Sequence, residues 1–149
     1  MWLLLLNIQF LFIPQGSNKM IIRNNAITED DWIVLRLGEQ ESAEDITVAA
    51  GKVIVPLKVW LAQRDALQQR HEIGVWLASD ERPEDLKGDI EKFSVIAVDF
   101  PKFSDGRGYS IAYNLRARLG YTGELRAIGD VLRDQLFYMR RVGFDAFAP

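Results

Sequence analysis

Phe93-Ser-Val-Ile-Ala-Val-Asp-Phe-Pro-Lys-Phe-Ser-Asp-Gly-Arg-Gly-Tyr-Ser110 changes character twice within one short stretch. Phe93–Val98 is almost continuously apolar, the signature of a strand covered on both faces. Asp99–Tyr109 mixes charges with Gly106 and Gly108, and a helical pattern follows over residues 110–119. The order is therefore buried strand, polar loop, helix start. In parallel α/β architecture, ligands sit at the carboxyl ends of strands, facing helix N-termini. A loop in that place carrying Lys102, Asp105, Arg107, Tyr109 and Ser110 reads as a binding or catalytic loop.

The same rhythm extends in both directions. Lys52-Val-Ile-Val55 is a short β-branched run, and Pro56 stands at a favoured first helical position. Leu57, Trp60, Leu61 and Leu67 then recur at helical spacing, predicting an amphipathic helix over 57–70. Ile73–Ala78 is the next strand, with a short helix near Pro83–Leu86. Beyond the loop come a turn at Gly120–Gly123, a strand over Leu125–Ile128 and a helix over Val131–Val142. Gly143 is a natural residue to end that helix, and Phe144–Phe147 forms a last short strand or a packed tail. Such alternation argues for parallel strands with right-handed crossovers. The expected fold is α/β, a mainly parallel sheet with flanking helices, flavodoxin-like or Rossmann-like. Residues 73–147 also fit part of a barrel, although a complete eight-fold barrel needs more chain.

Residues 20–149 read as one domain, with an N-terminal β-ribbon over 20–50 and the α/β core over 51–149. Met20–Arg23 and Trp32–Leu37 are the apolar runs of the expected ribbon, separated by the polar stretch Asn24–Asp31. Met1–Ile13 is strongly apolar but short of the about 20 residues needed to span a bilayer. It also lacks the basic start and small-residue cleavage site of a signal peptide. Residues 1–19 therefore read as a non-native or disordered extension before a true start at Met20, with an interfacial anchor or docking peptide as the competing reading. The expected location is the cytoplasm.

Composition narrows the chemistry. The chain has 149 residues, no cysteine and a single histidine, His71. Disulfides, thiolate-held metals or iron–sulfur clusters and a cysteine nucleophile are excluded within it. One histidine makes no metal site without several carboxylates beside it, so none is assigned, and His71 reads as a surface or structural residue. The residues name no cofactor. Net charge is −3, unevenly placed: residues 99–143 carry eight Lys/Arg against five acids, and residues 1–98 carry ten against fifteen. An acidic chain with no basic run interleaved with aromatics is a poor nucleic-acid binder.

Familiar signatures are missing. Gly106-Arg-Gly108 has no third glycine at the dinucleotide-binding position, and there is neither a P-loop nor a Gly-x-Ser-x-Gly nucleophile elbow. What remains is an anion-binding design. Gly106 and Gly108 would let backbone N–H groups approach a ligand as a nest, with Ser110 capping the helix. Lys102 and Arg107 add full charges, and Arg126 and Asp130 at the next strand end should share the rim. Asp99, Asp105 and Asp130 are the candidate general acids or bases. In the purely structural alternative, Asp105-Gly106 is a turn, Ser110 a cap, and Arg107 a clamp on Asp99 or Asp105.

Asp99–Arg116, Gly123-Glu-Leu-Arg-Ala-Ile-Gly-Asp130, Asp134-Gln135 and Arg141-Val-Gly-Phe-Asp-Ala-Phe147 together resemble a bacterial family known as domain of unknown function 934. The resemblance covers most of residues 50–147. Members of that family are described as oxidoreductases involved in sulfite reduction, because they are encoded beside sulfite reductase. The resemblance therefore implies an accessory factor of assimilatory sulfite reduction, binding a small oxyanion or a phosphorylated metabolite. An acid/base enzyme without a covalent nucleophile stays open beside it. So does a docking module for sulfite reductase or its electron donor, with Phe100, Phe103, Tyr109 and Tyr113 as contact aromatics.

Overall fold

Six parallel strands lie side by side in the order in which the chain makes them. The computed structural model describes residues 19–148, so the expectation for residues 1–18 lies outside the described residues. The parallel set is β3 (Ile33–Val34), β4 (Val53–Pro56), β5 (Gly74–Leu77), β6 (Val95–Phe100), β7 (Glu124–Gly129) and β8 (Ala146–Phe147). An antiparallel hairpin, β1 (Met20–Arg23) and β2 (Ala26–Glu29), adds to the β8 edge. The result is one mixed eight-stranded sheet in the order β2-β1-β8-β7-β6-β5-β4-β3.

The α/β class stands, but the flavodoxin-like or Rossmann-like expectation is met only in part. Both of those orders reverse direction across the sheet, whereas this one never does. Right-handed crossovers in an unreversed order place every helix on the same face. Accordingly, α1 (Leu57–Ala62), α2 (Arg64–Leu67), α3 (Arg107–Tyr113) and α4 (Leu136–Val142) share one core. Trp60, Leu67, Ile111, Leu115 and Met139 from the helical side pack there on Val55, Val75, Val98 and Ala127. Alternate strand residues, Ile54, Val95, Ala97 and Ile128, face the other way and pack with Trp32.

That second face is the inside of a curl. Only Asp30, Asp31 and Trp32 separate β2 from β3, although these are the two edge strands. Four chain steps reach about 14 Å, while a flat eight-stranded sheet would hold its edges about 33 Å apart. Asp30 and Trp32 then reach strands in the middle of the sheet from within the curl. The Asp30 carboxylate meets Arg126 of β7 at 2.9 Å, and Trp32 packs on Val95 and Ala97 of β6.

Local details depart from expectation where side-chain chemistry overrides pattern. The ribbon pairs β1 with Ala26–Glu29, not with Trp32–Leu37, because Asn24 (φ 51°) and Asn25 (φ 70°) make a two-residue turn. β3 leaves the expected ribbon and joins the parallel set. The helix expected over 57–70 breaks at Gln63 into α1 and α2, whose Nε2 donates to Ala43 and Ile46 carbonyls at 2.8 and 3.0 Å. The helix expected from Val131 begins at Leu136, after a 3₁₀ turn over Arg133–Gln135. Gly143 ends it at φ 117°, and Ala146–Phe147 is a strand.

Candidate functional site

The β6–β7 ladder is the longest in the sheet, paired from Val95↔Glu124 to Phe100↔Gly129, and it carries the loop predicted from sequence. α3 begins at Arg107, three residues before Ser110, so Ser110 sits exposed within the helix and does not cap it. Gly106 fills the cap position without a side-chain cap, and Asp105 before it bonds the first turn instead: its Oδ1 accepts the Arg107 N–H at 3.0 Å. Arg107 folds back on the same carboxylate, Nε to Oδ1 at 3.0 Å and Nη2 to Oδ2 at 2.7 Å. Those bonds from Arg107, with a further one from Ser79, hold the Asp105 carboxyl far below the usual carboxylate range. Lys102 is exposed at the loop's outer edge.

The two glycines form no nest. Gly106 has ordinary helical backbone, φ −76° and ψ −10°, with open space where a Cβ would stand. Gly108 is buried, and a Cβ there would lie 2.5 Å from the Phe100 ring. Its smallness lets α3 settle on the end of β6. Tyr109 and Phe144 flank the same Phe100 ring, at centroid distances of 5.5 and 5.8 Å.

Arg126 does not join the rim. It is the third residue of β7, 0% exposed, with its side chain inside the curl. Nη1 donates to Asp30 at 2.9 Å and Nε to Glu124 at 2.7 Å, and Arg23 reaches the other Glu124 oxygen at 3.0 Å. Alternation along the strand explains this: Leu125 and Ala127 face the helices, so Arg126 must face inward. Asp130 is exposed and ties down the loop, its Oδ2 accepting the Phe103 N–H at 2.9 Å while Gln135 donates to the Phe103 carbonyl at 2.9 Å. Phe100 is buried, Tyr109 half-buried, and Phe103 and Tyr113 exposed.

Asp99 leads to a different place. It lies on the inner face at the carboxyl end of β6 and takes Arg36 Nη2 at 2.9 Å. Gly129 (φ 89°) lets β7 end against it, since a Cβ there would stand 2.6 Å from the Asp99 carboxylate and 2.5 Å from the Phe100 carbonyl. The Arg36 guanidinium lies over the Trp76 ring, 4.9 Å from its centroid. Trp76 is itself anchored by an Nε1 bond to the Leu35 carbonyl at 2.8 Å.

Between these groups opens a cleft of about 300 Å³, lined by Arg36, Pro56, Lys58, Trp76, Ala78 and Glu81, with Leu37 at its edge. It sits where β3, β4 and β5 end, on the face of the sheet expected to bind ligands. Glu81 Oε1 accepts the Ala78 N–H at 2.7 Å. Burial nevertheless pushes its carboxyl up, against the opposing pull of that bond and of Lys58. Lys58 is exposed and makes no ion pair among the described residues. The cleft thus offers one uncommitted cation, one carboxyl that keeps its proton above the ordinary range, and an aromatic face under a tethered guanidinium.

Sequence reading missed four of these residues. Arg36 was hidden because Trp32–Leu37 read as a ribbon strand, while β3 is parallel and ends beside it. Trp76 could have been found, since it alternates with Val75 and Leu77 and must face away from the helices. Glu81 and Lys58 carry no local signal. Among the described residues no group of three or more His, Asp or Glu side chains could hold a metal ion, and no helix is long and apolar enough to cross a membrane.

No curated protein and no solved structure matches the chain. A family model described as "Bacterial protein of unknown function (DUF934)" matches residues 74–149, from the first residue of β5 through the end of the chain. Trp76, Glu81, Asp99 and the whole Asp105–Arg107 loop fall inside the match, and Arg36 and Lys58 precede it. With just over half of its length matched, the chain belongs to that family.

Proposed function

We propose that this protein binds a small oxyanion or a phosphorylated metabolite in the strand-end cleft, as an accessory of sulfite reduction. The observation that carries the reading is the pairing of uncommitted Lys58 with protonation-prone Glu81 beside Trp76, in one cleft at the carboxyl ends of β3–β5. Lys58 supplies charge and Trp76 covers an apolar or planar portion of the ligand, while burial, by raising the Glu81 carboxyl, weakens its repulsion of an anion. Arg36 contributes once a ligand competes with Asp99 for its guanidinium. The loop arginine Arg107 is folded onto Asp105, and Arg126 is wholly buried against Asp30 and Glu124 with its Nη2 making no hydrogen bond, so neither reaches the loop rim, which favours the cleft.

The metabolic setting rests on the family resemblance, with sulfite reductase or its electron donor as partner in the cytoplasm. Acid/base catalysis is the second reading. It is favoured by Glu81, a carboxyl raised toward the working pH inside a cleft, and it makes Glu81 the proton carrier in place of Asp105 or Asp130.

Isothermal titration with sulfite, sulfate, phosphate and adenylylated sulfate tests the binding reading. One of these should give heat that is lost in a Lys58→Ala protein of unchanged melting temperature. Silence at millimolar concentration of all four overturns it. Binding abolished by Arg107→Ala but kept by Lys58→Ala would move the ligand to the loop. Normal growth of a deletion strain on sulfate as sole sulfur source would remove the sulfur assignment alone.

A further inference from the structure

The outer face of α3 and α4 combines three features that rarely coincide on a surface serving only as solvent boundary. Tyr113 on α3 and the pair Phe137 and Tyr138 on α4 are 54%, 64% and 63% exposed. The rings of Phe137 and Tyr138 sit edge to face at 6.1 Å and form one exposed apolar surface, and Tyr113 shares a groove with Val142 of α4. Arginines surround it. Arg141 lays its guanidinium on Phe137 at 4.8 Å, Arg118 lines the same groove as Tyr113, and Arg133 and Arg140 are exposed just before and within α4, Arg140 also donating to the Asn25 side chain.

Charge along these two helical segments is net positive. In the stretch Asn114–Val142 the acids are Glu124, Asp130 and Asp134. Glu124 is bonded to Arg23 and Arg126, which leaves the exposed Asp130 and Asp134 against Arg118, Arg133, Arg140 and Arg141, with the Arg140 guanidinium also donating to the Asn25 side chain. The chain as a whole is acidic at −3, so the patch runs against the charge of its own protein. Aromatic side chains and arginine are the residues enriched in protein interfaces, whereas lysine is depleted there.

The third feature is backbone geometry. Asn114–Arg118 continues α3 as a π-helix, with the Leu119 N–H bonding the Asn114 carbonyl at 2.9 Å. π-Helical turns are rare and are frequently found at functional sites. Here the wide turn flanks a groove of about 430 Å³ between the two helices, with Tyr113 and Arg118 on one wall and Val142 on the other.

We infer that the α3–α4 face docks a protein partner whose contact surface is acidic, its carboxylates meeting Arg118, Arg133 and Arg141 around a core that covers Tyr113, Phe137 and Tyr138. A second copy of this chain fits less well, because an isologous pairing would bring the arginines against themselves. Nucleic acid fits less well because the rest of the molecule repels it. The surface is separate from the cleft, so this inference does not depend on a ligand there.

Benzoylphenylalanine placed at position 137, and separately at 138, in the producing cells tests it. The expected result is one discrete crosslink to another protein, whose sequenced crosslinked peptide is rich in Asp and Glu. The crosslink should disappear in an Arg118→Glu/Arg141→Glu chain with an unchanged melting curve. With the identified partner purified, affinity should fall about tenfold or more between low and moderate salt, as charge-steered association does. A crosslink to a second copy of the chain, to nucleic acid or to a non-acidic peptide overturns the inference. So does its survival after charge reversal, or no crosslink from either position.

Discussion

Replacing Gly108 by alanine and Gly106 by alanine should move stability in opposite directions. At Gly108 the new Cβ would lie 2.5–2.6 Å from two Phe100 ring carbons, well inside the 3.5–4.0 Å of normal carbon contact. The Phe100 ring is 0% exposed and braced by Tyr109 and Phe144, so it has little room to retreat. Overpacking of this kind costs about 1–3 kcal/mol. Alanine returns about 1 kcal/mol of helix propensity. Net destabilisation of about 1 kcal/mol is expected, roughly a 4 °C lower Tm for a chain of this size. At Gly106 the backbone is already helical and nothing stands within 4 Å of a Cβ. Alanine there should stabilise by about 0.4–1 kcal/mol, by restricting the unfolded chain. Urea unfolding followed by tryptophan fluorescence separates the two variants by their midpoints at a common slope. A Gly108→Ala protein as stable as its parent, or a Gly106→Ala protein destabilised to the same degree, would refute the account of how α3 seats on β6.

Arg126→Ala should destabilise by about 3–5 kcal/mol in the same assay, because Asp30 and Glu124 would be left facing each other inside the curl without their shared cation; a loss below about 1 kcal/mol would contradict that role. Arg107→Ala should lower the melting temperature far less than Arg126→Ala does, because the Arg107 side chain is 60% exposed and solvent replaces it at Asp105. Glu81→Gln carries a pH signature. Burial raises the Glu81 carboxyl above its ordinary value of 4.5, so the folded state holds that proton more tightly than the unfolded chain does. The wild type therefore loses relative stability as pH rises through 4.5 toward the folded-state value, and the glutamine variant does not. The Tm difference should be near zero at about pH 4 and favour Glu81→Gln at about pH 7; a gap that is constant with pH would show that Glu81 is solvated.

The site was legible only to the extent that its signals were local. The loop after β6 was located correctly at a strand end, because an apolar run followed by glycines and charges reports burial and then exposure. The roles within it were not, since Arg107 could have clamped Asp99 or Asp105 and no spacing distinguishes them. Arg126 shows the limit most plainly. Its position in Leu125-Arg-Ala-Ile128 predicts that it faces opposite to Leu125 and Ala127, but whether that face is solvent or the inside of a curl depends on a connection 96 residues away, where Asp30 lies.

From the amino-acid sequence alone came the alternation of strands and helices from residue 51 onward, the Gly143 helix end, and the family resemblance, read over most of residues 50–147 where the family model matches 74–149. Hydrophobic period and turn chemistry are properties of neighbouring residues, so the chain carries them wherever it goes. Tertiary structure alone decided that β3 belongs with the parallel strands, that the unreversed order puts every helix on one side, and that the sheet curls until Asp30 meets Arg126. It also decided that Arg36, Lys58, Trp76 and Glu81 share a cleft while Asp99 tethers Arg36 across 63 residues of sequence. Strand order and ion-pair choice are set by competition among distant segments for the same edges and partners, and a one-dimensional pattern contains no record of which competitor wins.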